Sequence, residues 1–244
     1  MEKTKTNDDL TYRNSIGIEF ILIPQGDFYM GSREYERNWY RNDHPLHKVR
    51  MGRSFYIGKY PVTQKEWIKV MDFNPSRAIG DNNPVDKVTW HDAQEFISRL
   101  NSMEGIERYR LASEAEGEYA CRANTETRYS FGDDPLDLSE HGWYVEDNST
   151  GTYPVGLKKA NPWGLFDMHG NIWEWVQDSY HDSYTGAPDD GSAWVDSDAK
   201  KDIRVLRGGS WLASAAGCRS VSRYFYPAGG RKSRRIGFRL VMDV

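Results

Sequence analysis

The sequence predicts an α+β fold, with a few short helices set among strands and long loops. Three observations lead there. Strand-like apolar runs fill the first sixty residues, three stretches with helix-start signals follow one another through the middle, and the remainder is short strands in loops rich in Gly, Trp and Asp. Aromatic residues make up 14% of the 244, with nine Trp and fifteen Tyr, against a mean hydropathy of −0.78. Such a core rests on large rings rather than on long aliphatic helices.

Residues 18–24 read as a buried strand stopped by Pro24, and Gln25-Gly26-Asp27 as a turn into a second strand, Phe28-Tyr29-Met30-Gly31, so the pair is expected to form a hairpin. Residues 33–45 are polar and predict a surface loop, and 47–50 and 54–60 predict further strands. Thr63 with Glu66 forms a capping box, and Trp67, Val70 and Met71 share one face of the helix it opens. Thr89 opens a second helix, with Ala93, Phe96, Ile97 and Leu100 at helical spacing. Ser113 with Glu116 opens a third, running to about Arg122. No internal repeat or linker divides the chain, which gives a polar lead-in over 1–15 and one domain over 16–244.

No apolar run approaches the roughly 20 residues that cross a bilayer. Residues 1–12 are polar and carry no apolar signal core, so a cytoplasmic protein, or one whose export signal has been removed, is expected from them. Cys121 and Cys218 make neither a disulfide framework nor a zinc site. From Arg204 onward nine basic residues face only Asp243, a net of +8, which leaves −12 for the rest of a chain at −4. These Arg residues alternate with Gly and aromatics instead of lining one helix face. Pinning loops by bonding carbonyls and carboxylates is therefore the preferred reading over binding nucleic acid or an acidic partner.

Several stretches carry a resemblance: Phe28-Tyr29-Met30-Gly31-Ser32, Tyr60-Pro61-Val62-Thr63, Asn83-Pro84-Val85, Val88-Thr89-Trp90 and residues 111–122. More specific are Asn161-Pro162-Trp163-Gly164-Leu165, Asp167-Met168-His169-Gly170-Asn171-Ile172-Trp173-Glu174-Trp175, Arg207-Gly208-Gly209-Ser210-Trp211 and Ile236-Gly237-Phe238-Arg239. In number, order and spacing these resemble the formylglycine-generating-enzyme and sulfatase-modifying-factor family over about residues 16–241. The resemblance implies a C-type-lectin fold, a few helices packed on an irregular antiparallel sheet. Gly117 stands where that family usually has Trp, which should leave the third helix less well packed.

The resemblance also bears on chemistry. Oxidase members need a copper-binding thiol pair shortly after the Gly-Gly-Ser-aromatic motif, and one cysteine cannot replace it. Here Leu, Ala, Ser and Gly occupy that stretch and only Cys218 follows, so no catalytic residue and no required cofactor is expected. The six His are scattered without metal-ligand spacing on a helix, and His169 reads as a loop-fixing residue. By resemblance, Asp167 and Glu174 with the carbonyls of Gly170 and Ile172 offer a structural Ca²⁺ site. The alternative is that both carboxylates accept hydrogen bonds from loop N–H groups or Arg.

The C-terminal segment departs from the family in a patterned way. Twelve Asn fall in residues 1–171 and none in 172–244, although noncatalytic relatives are commonly Asn-rich here. In their place stand Leu212, Ala213, Ala216, Gly217, Val221, Ser222, Tyr224, Phe225, Tyr226, Gly229, Gly230, Lys232, Ser233 and Arg234. Between them lie residues that match the family: Trp211, Cys218, Arg219, Ser220, Arg223, Arg231, Ile236, Gly237, Phe238 and Arg239. That interleaving resembles the variable proteins of diversity-generating retroelements, where adenine-directed copying rewrites Asn codons on a fixed scaffold. The resemblance implies a noncatalytic ligand-binding protein at the cell surface or outside the cell, with 204–239 as its variable region. Its partner would be a protein or glycan on another surface rather than nucleic acid. An oxidase, an enzyme accessory and a subunit that packs on a catalytic partner are the alternatives.

Overall fold

The computed structural model describes residues 10–33, 41–147, 150–196 and 202–244, so the loop expected over 33–45 lies partly outside them. Strands β1 (Thr11–Arg13), β2 (Glu19–Ile23), β5 (Phe55–Gly58), β11 (Leu240–Asp243) and β6 (Tyr109–Leu111) lie side by side in that order, every neighbour antiparallel. The stretch 1–15 is therefore not wholly a lead-in, because Thr11, Tyr12 and Arg13 form an edge strand.

Strands β3 (Gly26–Met30) and β4 (His47–Met51) pair with each other in a two-stranded ribbon. The expected β2–β3 hairpin does not form. The link at Pro24 carries the chain from one sheet to another, and β2 takes β5 as its partner instead. A second sheet runs β10 (Ile236–Phe238), β7 (Trp173–Ser179), β8 (Ile203–Arg207) and β9 (Arg223–Pro227). Its β10–β7 pair is parallel, so the antiparallel expectation fails at that one seam.

The three expected helices form where their caps place them: α1 (Gln64–Met71), α2 (Trp90–Glu104) and α3 (Glu114–Arg122). Each begins with a reciprocal box. The Thr63 N–H donates to Glu66 Oε2 at 2.8 Å, the Thr89 N–H to Asp92 Oδ2 at 2.8 Å, and the Ser113 N–H to Glu116 Oε2 at 2.8 Å. A further one-turn helix, α4, covers Leu138–His141.

The apolar faces of α1 and α2 meet the second sheet through rings. Trp67 stacks on Phe96 at 5.4 Å, and Phe238 of β10 meets Phe96 edge-on at 5.4 Å. All three rings are fully buried. Gly117 on α3 leaves room: a Cβ there would find nothing nearer than Arg207 Cγ and Val176 Cγ1, each at 3.9 Å.

Candidate ligand-binding face

Among the described residues, strand β9 is the outer strand of its sheet and pairs with β8. Burial falls along it rather than alternating, from a buried Arg223 to exposed Tyr224 and Phe225. Arg223 points inward, with Nε at 2.8 Å and Nη2 at 2.6 Å from the two carboxylate oxygens of buried Glu114. Its Nη1 donates to the carbonyls of Asn42 at 2.6 Å and His181 at 3.0 Å. Farther in, Arg207 donates to Glu118 at 2.5 Å and to the carbonyls of Val221 and Ser220 at 2.9 Å each. Burial pushes the Glu118 carboxyl up, but the Arg122 and Arg207 guanidiniums outweigh it and hold it below its ordinary value. This buried charge lattice anchors β8 and β9 to α3.

Beyond Arg223 the strand opens to solvent. Tyr224 is 44% exposed although it stacks on Trp173 at 5.7 Å, and Phe225 is 40% exposed, resting on Tyr180 at 4.2 Å. Tyr226 is half-buried against Trp175. With Ala213, Ala216 and Gly217, the rings of Trp173, Tyr224 and Phe225 wall a pocket of about 460 Å³. Ser210 borders it with a fully buried hydroxyl that has no hydrogen-bond partner among the described residues. The pocket suits a ligand with a flat apolar part and a polar end.

Other expected binding positions have varied fates. Leu212, Ala216, Gly229, Lys232 and Arg234 are exposed, and Ala213, Gly217, Gly230 and Ser233 half-buried. Val221 is fully buried and cannot meet a ligand. Ser222 is buried too, its hydroxyl donating to the Ala216 carbonyl at 2.7 Å. Both continue the inward run that begins at Cys218. Family-matching residues show the complementary pattern: Trp211, Cys218, Arg219, Ser220, Arg223, Ile236, Gly237, Phe238 and Arg239 are buried, with Arg231 alone exposed.

The carboxylates expected to hold Ca²⁺ have other partners. Both Glu174 oxygens accept from buried Arg239, whose Nε lies 3.0 Å from one and whose Nη2 lies 2.8 Å from the other. Arg239 also donates to the carbonyls of Gly58 and Phe166, at 2.8 Å each. Asp167 accepts the Gly156 N–H at 2.9 Å and the Asn171 amide at 3.1 Å. The Gly170 carbonyl accepts from the Ile172 N–H. A guanidinium already supplies the positive charge between these groups, so the arrangement does not fit a Ca²⁺ ion. Gly170 is needed for close approach, since a Cβ there would lie 2.3 Å from the Trp143 carbonyl oxygen.

Residues 11–244 match the family described as the sulfatase-modifying factor enzyme 1-like domain. The chain belongs to that family. Among curated members, the chaperone protein LppX of Paenibacillus barcinonensis is 31% identical, over 82% of this chain and 81% of LppX. The serine/threonine-protein kinase pkn1 of Chlamydia caviae is 30% identical over 93% of this chain but only 38% of that protein. The formylglycine-generating enzyme of Mycobacterium tuberculosis is 30% identical over 92% of this chain and 98% of its own length. In structure, PvdO from Pseudomonas aeruginosa aligns with a TM-score of 0.86 at 30% identity, over 96% of this chain and 98% of PvdO. The Treponema denticola variable protein 1 aligns at 0.80 and 27%, also over 96% of this chain and 98% of that one. The C-type-lectin-type fold is thereby established, and with it the likeness to a variable protein.

Within this sulfatase-modifying factor enzyme 1-like domain the thiols sit in the interior. Burial pushes Cys218 up to about 12 and Cys121 up to about 11, so both stay as thiols near neutral pH. Gly209 passes so close to Cys218 that a Cβ would lie 2.7 Å from its sulfur. His169 is likewise buried, and burial lowers it to about 4. Its neutral ring bonds the Cys218 carbonyl at 2.9 Å through Nδ1 and accepts the Ser130 N–H at 3.1 Å through Nε2, the loop-fixing part read from the sequence.

Arg77 and Lys87 carry no signal in the sequence that marks them as site residues. They lie far from the C-terminal segment in the chain, yet they line a groove of about 530 Å³ with Leu212, Tyr226 and residues 231–235. No motif flags either residue. Lys87 takes a left-handed backbone at φ 61°, which sequence does not reveal.

Proposed function

We propose that this domain is a noncatalytic binding protein whose C-terminal face, on residues 204–239, is diversified while the scaffold beneath it stays fixed. One observation carries the reading. Exposure follows the interleaving seen in the sequence: family-matching residues are turned inward except Arg231, and divergent ones are exposed or half-buried except Val221 and Ser222. Exposed rings beside small residues offer contact area at low entropy cost, and changes at such positions cost the fold little. The likeness to a variable protein supports the same reading, as does the interior placement of both thiols. A ligand-binding variable protein acts outside the cell or on its surface, and that is the proposed location.

The test is a display library of the whole chain with Leu212, Ala213, Tyr224, Phe225, Lys232 and Ser233 randomised and selected against one arbitrary protein target. Folded binders with near-parental melting temperatures are expected. A library in which most members fail to fold overturns the proposal. Copper-loaded protein given oxygen, a reductant and a Cys-containing sulfatase-type peptide is expected to leave the peptide thiol unoxidised. Turnover abolished by Cys218→Ser refutes the noncatalytic part.

A further inference from the structure

The groove beside the aromatic pocket has a different chemistry from it. Six of its nine lining residues are cationic, and none is acidic: Arg77, Lys87, Arg231, Lys232, Arg234 and Arg235. This is a concentration of positive charge on a chain whose net charge is −4. Lys232 is paired with Asp92 at 2.8 Å. Among the described residues no carboxylate lies within ion-pair distance of the other five, in contrast to Arg207, Arg223 and Arg239, whose carboxylate partners are buried with them. Cations that only pin loops find such partners, as those three do. Five gathered around one open groove without them make a field that attracts anions.

The groove is also built to hold its shape. The Lys87 N–H donates to the Ser233 carbonyl at 3.0 Å and the Trp90 N–H to the Ala228 carbonyl at 3.0 Å, which joins the two walls. The Tyr226 hydroxyl donates to the Arg231 carbonyl at 3.2 Å, and Trp211 Nε1 to the Arg234 carbonyl at 3.2 Å. The Arg234 guanidinium lies over the Trp211 ring at 4.9 Å. With the backbone of 231–234 tied down by these bonds, little order remains to be imposed when a ligand binds. Lys87 keeps a left-handed backbone, an uncommon state for a residue with a side chain, and it does so at this wall.

The lining discriminates between classes of anion. Guanidinium forks match carboxylate, phosphate and sulfate oxygens alike, so the choice among anions falls to what else lines the groove. A single-stranded nucleic acid needs free aromatic faces to stack its bases, and the one ring that lines the groove, Tyr226, is held by Trp175 and its own hydroxyl bond. An acidic peptide wants apolar anchor pockets, and Leu212 is the one aliphatic residue lining the groove. A chain of sugars with repeated charges needs neither. We infer that the groove binds an acidic oligosaccharide, with Arg77 and Lys87 as a fixed cationic wall and Arg231, Lys232, Arg234 and Arg235 as the wall carried by the C-terminal segment.

The inference deepens the reading of this segment as a binding face and assigns a ligand class to one part of it. A heparin-derived hexasaccharide and a galacturonate hexasaccharide are titrated calorimetrically into the whole chain, beside a single-stranded oligonucleotide and a poly-glutamate peptide. At least one saccharide is expected to bind more tightly than the oligonucleotide and the peptide, and to weaken about tenfold or more between low and high salt. The double variant Arg77→Ala/Lys87→Ala should lose about tenfold or more in affinity with an unchanged melting temperature, whereas Lys48→Ala/Arg50→Ala, which removes two exposed cations on β4 outside the groove, should bind as the parent does. No binding by either saccharide, equal binding by the oligonucleotide or the peptide, or an unaffected double variant overturns the inference. The display library reads fold tolerance and protein capture, so it fails or succeeds independently of this titration.

Discussion

Strand β9 permits a sharp comparison, because Arg223 and Phe225 are two residues apart on it and meet opposite demands. Arg223→Ala removes the guanidinium that holds both Glu114 oxygens and the carbonyls of Asn42 and His181. Arg207 stays near, with Nη1 3.5 Å from Glu114 Oε1, but it is already committed to Glu118. Breaking a buried pair by removing one partner costs about 3–5 kcal/mol, because a buried charge is left without compensation. For a chain of this size each kcal/mol moves the melting temperature by about 2–4 °C. Arg223→Ala should therefore melt roughly 6–20 °C below the parent. Truncating a fully buried Phe costs about 3–5 kcal/mol, but Phe225 is 40% exposed. Phe225→Ala should cost about 1 kcal/mol and shift the melt by only about 2–4 °C. Thermal melts followed by circular dichroism read both. A tolerated Arg223→Ala, or a Phe225→Ala as damaging as Arg223→Ala, would refute the division of this strand into a fixed root and a free tip.

Three further outcomes follow from the interior. Gly117→Ala should stabilise the protein by about 1 kcal/mol, since Ala favours the helix interior and its methyl meets nothing nearer than 3.9 Å; a lower melting temperature would mean that the space is not there. Chelator should leave the melt of the wild type unchanged, while Asp167→Ala should cost about 1–3 kcal/mol by orphaning the Gly156 and Asn171 donors; a chelator-induced drop restored by Ca²⁺ would contradict the internal bonding. Burial raises the Asp86 carboxyl from 3.8 to about 6, so the folded state holds this proton more tightly than the unfolded state does. Its contribution to stability is complete below about pH 4 and is lost as pH rises through 6. Urea melts should show the wild type losing stability relative to Asp86→Asn across that window, and a difference that stays flat with pH counts against the burial.

What the sequence revealed and what it hid divide along the range of the interactions involved. The caps at Thr63, Thr89 and Ser113 were readable because each box closes within three residues. The β2–β3 hairpin was misread because a Pro-Gln-Gly link looks the same whether the next strand folds back or leaves for another sheet, and the partners β5 and β4 come later in the chain. The parallel β7–β10 seam joins segments some sixty residues apart and leaves no local trace. In the candidate site, Tyr224 and Phe225 were legible because consecutive rings on a strand cannot all face inward. Val221 was not, since one apolar residue in a loop carries no period to show which way it points. Arg77 and Lys87 reach the groove only through the packing of the α1–α2 connection against residues 228–233.

The central claim is that residues 204–239 vary outward over an unchanging interior, and sequencing this segment from many independent isolates tests it most directly. Substitutions should concentrate at Leu212, Ala213, Ala216, Tyr224, Phe225, Lys232, Ser233 and Arg234, while Trp211, Cys218, Arg219, Arg223, Gly237, Phe238 and Arg239 stay the same. Substitutions spread evenly over buried and exposed positions, or a segment identical in every isolate, would contradict the account.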